Sequence, residues 1–203
     1  MSAYRLVQMF EDRTDFPVLL DEVRDAVIAL GGPDQILFKA VDIDDNVLRG
    51  ICHRWKPIPI PYALAPDHVD ILYAQGLEPE WRRLVITKEL IHILDKDAHR
   101  TQNEDQLNDL IRRMARRPEL RDPMNWHETS DRVGVFQALG ILFPYSAREL
   151  IKEKYELGNI SDEMIAHRAG IPVHYVSFLM SEDWTAMYHD FMRLCEMGAA
   201  EAA

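Results

Sequence analysis

From position 15 to 30 the apolar residues Val18, Leu19, Val23, Val27 and Leu30 recur at helical spacing, and Gly31-Gly32 follows them. That pattern predicts a helix with a glycine stop. The period then shortens. QILFKAVD (35–42) and VLRGICHRW (47–55) are β-rich runs on either side of the cluster Ile43-Asp44-Asp45-Asn46, which predicts a hairpin or meander. VDILYA (69–74) reads as a third short strand. Between them, KPIPIPY (56–62) holds three prolines without an N–H to donate, so it is expected to be an extended connection and not a central strand.

From Glu78 onward the pattern is helical, with helices predicted at about 79–97, 104–117, 126–143, 146–156, 161–169, 172–180 and 182–196. The C-terminal MGAAEAA is expected to fray. The layout is α+β, mostly helical, with a small three-stranded sheet confined to the first third. The spacing Asp42-x-Asp44-x-Asn46 invites a calcium-loop reading. Val47, however, stands where that loop needs glycine and His53 where it needs a bidentate glutamate, so the cluster reads as a turn.

Composition narrows the function classes. Of 203 residues 47% are apolar, enough for a substantial core. Basic residues number 23 against 34 acidic ones, a net charge of −11, which makes a phosphate backbone an unfavourable partner. Cys52 and Cys195 form neither a disulfide framework nor a CxxC pair. MSAYRLVQMFEDR (1–13) meets acidic residues too early for a secretory signal, and no apolar run approaches the ~20 residues of a membrane span. A reducing cytoplasm is the expected location.

The stretch LVITKELIHIL (84–94) carries the candidate chemistry. Ile86, Leu90, Ile91, Ile93 and Leu94 fill one arc of the helix. Lys88, Glu89, His92, Asp95, Lys96 and His99 fill the opposite one. Lys88 and His92 are four apart and share a face. In the zincin motif HExxH that spacing lets two imidazoles grip one zinc while the glutamate polarises the metal-bound water. An isolated ExxH also reads as the solvated face of an amphipathic helix. A lysine ammonium is a donor and, in its usual state, no zinc ligand.

The run HVDILYAQGLEPEWRRLVITKELIHIL (68–94) resembles the ImmA/IrrE family of zincin-type metallopeptidases, where a strand leads through an arginine-containing helix start into an FTLAHELGH core. A second block, DRVGVFQALGILFP (131–144), resembles that family's ExxAxxFAxxLLMP helix. The likeness spans roughly residues 15–180. It implies a zincin-like domain over 1–145, with a helix-turn-helix-like helical unit over 146–203 packed on it. It implies further that His92 and Asp131 stand at metal-ligand positions, Asp131 in place of a glutamate. Glu89 would be the general base of an active enzyme. Lys88 replaces the first ligand histidine and Ile91 a small residue. One imidazole and one carboxylate fall short of the three protein ligands usual in a catalytic zinc site, so no cofactor is expected, with zinc the cofactor if the site works. His53, His99 and His127 could also approach such a cleft, but each is expected in an ordinary surface or hydrogen-bonded role and not as a ligand.

Ala166, Gly170 and Val176 have the spacing of a helix-turn-helix: small residue, turn glycine, apolar anchor. Yet positions 161–195 hold two arginines (Arg168, Arg193) against five acids, which argues against DNA. The basic cluster Arg112, Arg113, Arg116, Arg117 and Arg121 reads as a solvated face or a docking patch. Taken together, the residues point to a pseudopeptidase of the ImmA/IrrE type acting as a protein-binding or regulatory module. The resemblance implies a transcriptional regulator or a toxin–antitoxin-type protein as partner, of the kind often encoded by mobile elements. The alternative is an active metal-dependent endopeptidase with an atypical site. DNA binding ranks last, and no membrane association is expected.

Overall fold

The structure, a computed structural model, describes residues 2–55, 67–94 and 126–200, with side chains described within 3–55, 67–94, 133–194 and 196–197. The first element adds a helix to those expected. In α1 (Ser2–Glu11), Tyr4, Leu6, Val7 and Phe10 fall along one face and are buried. Helix α2 (Leu20–Ala29) starts at Leu20 and not at position 15. Val18, counted into the apolar face of that helix, is buried from the segment before it. Glu22 Oε2 accepts the Leu19 N–H at 2.8 Å and an Arg13 Nη1–H at 2.7 Å, which fixes the later start. The stop is as expected: Gly31 takes φ +91°, and its N–H reaches Ile28 O at 3.0 Å.

Strands β1 (Gln35–Val41), β2 (Gly50–Trp55) and β3 (His68–Ala74) form one sheet in the order β1-β3-β2. β3 runs parallel to β1 and antiparallel to β2, so neither the hairpin nor the meander expected of β1 and β2 forms. The reason lies in burial. Val69, Ile71 and Ala74 make β3 the strand most enclosed by core, whereas β1 and β2 keep exposed positions along much of their length and take the edges. The acidic cluster between β1 and β2 folds as a turn, in which Asp44 Oδ1 accepts Asn46 N–H at 2.9 Å. On the sheet face away from the core, buried Asp70 accepts bonds from Lys39 Nζ and Trp55 Nε1, both at 2.7 Å. Burial works to raise its carboxyl pKa, but those two donors hold it below the ordinary value.

The remaining helices are α3 (Pro79–His92), α4 (Trp126–Leu142), α5 (Tyr145–Glu156), α6 (Asp162–Ala169), α7 (Val176–Leu179) and α8 (Glu182–Ala200). α3 ends at His92, short of the expected 97, with Ile93 and Leu94 in a turn. The single helix expected over 172–180 divides into a 3-10 turn (Val173–Tyr175) and the four residues of α7. Pro172 sits at its start, and Tyr175 N–H closes a three-residue turn onto Pro172 O at 3.1 Å. The KPIPIPY connection, the 104–117 helix, His99 and the arginine cluster 112–121 lie outside the described residues.

One buried cluster joins Leu6 and Val7 of α1 through Ile71, Leu90 and Leu139 to Trp184 and Tyr188 of α8. α3 passes through its centre: from Leu84 to Ile91 every residue except Lys88 is buried. β2 meets this helix at Gly50, where a Cβ would lie 2.4 Å from Val85 Cγ1 and 3.3 Å from Leu72 O. Val85 is stiff at χ1 and cannot swing aside. Gly50→Ala is therefore expected to destabilise the fold by about 1–3 kcal/mol in urea titration. Gly76→Ala, with nothing within 4 Å of its Cβ position, should stay within about 0.5 kcal/mol of wild type. Equal effects at the two glycines would refute the packing argument.

Candidate functional site

The polar arc of α3 is not a solvated face. Glu89 is buried, and Lys88 Nζ lies 3.0 Å from its Oε1, with the two side chains 15% and 7% exposed. The pair is enclosed from two sides. Toward the sheet, a Cβ on Gly50 would lie 3.5 Å from Glu89 Cγ. On the far side, α4 crosses at Gly134, where a Cβ would meet Lys88 Cγ at 3.1 Å and His92 Nε2 at 3.2 Å. Glycine at 134 is what lets the α4 backbone approach Lys88 and His92 this closely.

So the structure brings Lys88 and His92 together under one turn of α4, with Glu89 paired to Lys88 on the side of the sheet. Asp131 stands three residues before Gly134 on that helix, about 4.5 Å along its axis. The side chains of Asp131 and His127 lie outside the described residues. His53 is not brought to the site. It pairs across from Asp70, and alternation along β2 turns it to the sheet face opposite α3, where it packs edge-on against Trp55 at 4.7 Å. Among the described residues, no three His, Cys, Asp or Glu side chains are placed to share a metal ion.

Chemically, the Lys88–Glu89 arrangement is an enclosed ion pair. A carboxylate so placed would be costly without its partner, and the ammonium supplies a positive charge at that point. Sequence reasoning missed the two glycines that shape the site. Their signal was available only in hindsight: Gly50 interrupts a β-rich run, and Gly134 a helical one, where close backbone approach is the usual cause.

The helices after α4 connect to the site through α3. Arg83 Nη2 donates to Val18 O at 2.6 Å and its Nε to Gly170 O at 3.1 Å. Gly170 takes φ +64°, while Ala166 and Val176 are buried. Ser161 caps α6, its Oγ accepting Met164 N–H at 3.3 Å.

No protein-family model matches the chain, and no curated protein matches it. Among the described residues no helix is long and apolar enough to cross a membrane.

Proposed function

We propose that the chain is a zincin-like pseudopeptidase of the ImmA/IrrE type that acts as a protein-binding or regulatory module. The observation that carries this reading is the ion pair of Lys88 with Glu89 at 3.0 Å. In the zincin arrangement, position 88 gives zinc an imidazole, and position 89 serves water as a base. Here position 88 offers an ammonium, which donates and cannot ligate, and it occupies the carboxylate that an active enzyme would need free. Among the described residues the donor set does not fit a catalytic zinc, which is what would lower the pKa of a water for attack at neutral pH.

A protein partner follows from the same reading. The resemblance favours a transcriptional regulator or a toxin–antitoxin-type protein, on family analogy alone. DNA is the poorer candidate. The net charge is −11, and the segment that would serve as a recognition helix is broken into a 3-10 turn and the four residues of α7.

Metal content of protein purified without chelator, beside a Lys88→His variant, tests the reading. The parent is expected to hold below about a tenth of an equivalent of zinc, and Lys88→His to gain metal, since its ligands would then be two histidines and a carboxylate. Near-stoichiometric zinc in the parent, lost on changing His92 or Asp131, would overturn the reading: a third ligand would have to exist, and peptidase assays would then test the active-endopeptidase alternative.

A further inference from the structure

We infer that Arg49 and Arg82 form a docking site for an acidic segment of a partner protein; this rests on the protein-binding reading above and locates the surface that would serve it. Arg49 precedes β2, and its Cζ lies 4.1 Å from the ring centroid of Trp81, in the first turn of α3. The next residue, Arg82, sets its Cζ 5.5 Å from the ring centroid of Tyr73 on β3. A guanidinium lying over an aromatic face spends none of its N–H donors there, so its planar fork stays available to a carboxylate.

On Arg49 those donors are unspent among the described residues. Arg13, Arg24, Arg54 and Arg193 each hold a carboxylate at 2.7–3.8 Å. Among the described residues Arg49 and Arg82 hold none, although acids outnumber bases 34 to 23 in the chain. Arg82 is partly spent: it gives one Nη2–H to Leu77 O at 3.2 Å, and its Nε is buried, without a partner among the described residues, so only its remaining Nη donors are open to outward contact. Beneath them Ala74, Leu77 and Val85 form a separate apolar cluster against which Tyr73 and Trp81 pack, so the aromatic floor is fixed in place. His174 and Tyr175 wall the site from the 3-10 turn, their rings 5.0 and 6.0 Å from that of Trp81. Beside them Val173 is 44% exposed and offers an apolar rim.

The open fork of Arg49, the remaining Nη donors of Arg82 and a rigid floor with an apolar edge match a peptide that alternates carboxylates with apolar side chains. A polyphosphate strand is the poorer match, because its long run of charge meets a surface of net −11 beyond these two arginines.

Fluorescence anisotropy on the full chain tests this with three labelled probes: a short peptide alternating Glu and Leu, its Gln-for-Glu counterpart, and a single-stranded oligonucleotide. The Glu peptide is expected to bind, and the Gln peptide to bind about tenfold more weakly. Arg49→Gln should cost the Glu peptide a similar factor, and Arg49→Lys should not restore it, because an ammonium lacks the fork. Arg49 makes no side-chain hydrogen bond among the described residues, so these variants keep the fold; Arg82→Gln provides an independent second loss. Equal binding of the Glu and Gln peptides, no effect of Arg49→Gln, or tighter oligonucleotide binding through the same arginines would each overturn the proposal. A zinc-loaded parent that still binds the Glu peptide through Arg49 would sink the pseudopeptidase reading and leave this surface standing.

Discussion

Lys88→Met is expected to destabilise the protein by about 3 kcal/mol, because it removes one partner of an enclosed ion pair and leaves the other behind. Methionine replaces the apolar stem of the lysine, so the lost quantity is the charge and not the packing. Glu89 would then stand 7% exposed without the ammonium now 3.0 Å away. Adding Glu89→Gln in the same chain should recover most of the loss, since a neutral amide no longer needs a counter-charge. Urea midpoints of the parent, both single variants and the double variant close the cycle. A neutral Lys88→Met, or a double variant no better than the single, would show that Glu89 does not depend on this lysine. The basis of the proposed function would go with it.

The second large effect lies at the junction of α7 and α8. Arg148 on α5 is 0% exposed and donates Nε–H to Leu179 O at 2.7 Å, and Nη2–H to Ser181 O at 2.9 Å and Met180 O at 3.2 Å, while Nη1 pairs with Glu149. The Leu179 and Met180 carbonyls end α7, where no intrahelical donor remains for them, and Ser181 O, at the start of α8, also accepts Thr185 N–H at 3.5 Å. Arg148→Met should cost about 3–5 kcal/mol, because it strands buried carbonyls and returns only apolar contact. Arg148→Lys should rescue little of it, since one ammonium cannot span the three acceptors. Chemical denaturation measures the loss. A cost below about 1 kcal/mol would mean that water takes over these carbonyls and that the arginine is not what holds the α7–α8 junction.

Arg148 also shows how much the chain disclosed. Arg148, Ile151 and Tyr155 fall at i, i+3 and i+7 of α5, so an arginine sits on a stripe that packs inward. A charged residue in such a place signals a buried hydrogen-bonding role, but not what it bonds. The helices from α4 to α6 and the three strands were legible because their periodicity is local. The sheet order was not. Which strand takes the centre depends on total burial, and the hairpin signal around Asp44 competes only locally with the enclosure of Val69 and Ile71. At the site, Lys88, Glu89 and His92 could be picked out by spacing along one helix. The closeness of α4 could not, because it turns on the missing side chain of Gly134. The start of α2 is hidden for a similar reason: Val18 is apolar and buried, which spacing alone cannot tell from a helical position.

The strand order has a consequence for synthesis on the ribosome. β1 and β2 are complete by Trp55, yet neither pairs with the other, and both wait for β3, which ends at Ala74. At roughly 5–20 residues per second, the nineteen residues from Trp55 to Ala74 take about one to four seconds to translate. The same interval separates the emergence of β2 from that of β3 at the ribosome surface, and through it two β-rich segments stand outside with no ladder to join, each a template for pairing with another nascent chain. Lys39 on β1 and Arg54 on β2 place a charge on each, and a bare charge is what discourages such pairing. Both find carboxylate partners only after the third strand arrives: Asp70 lies within β3 and Asp67 immediately before it.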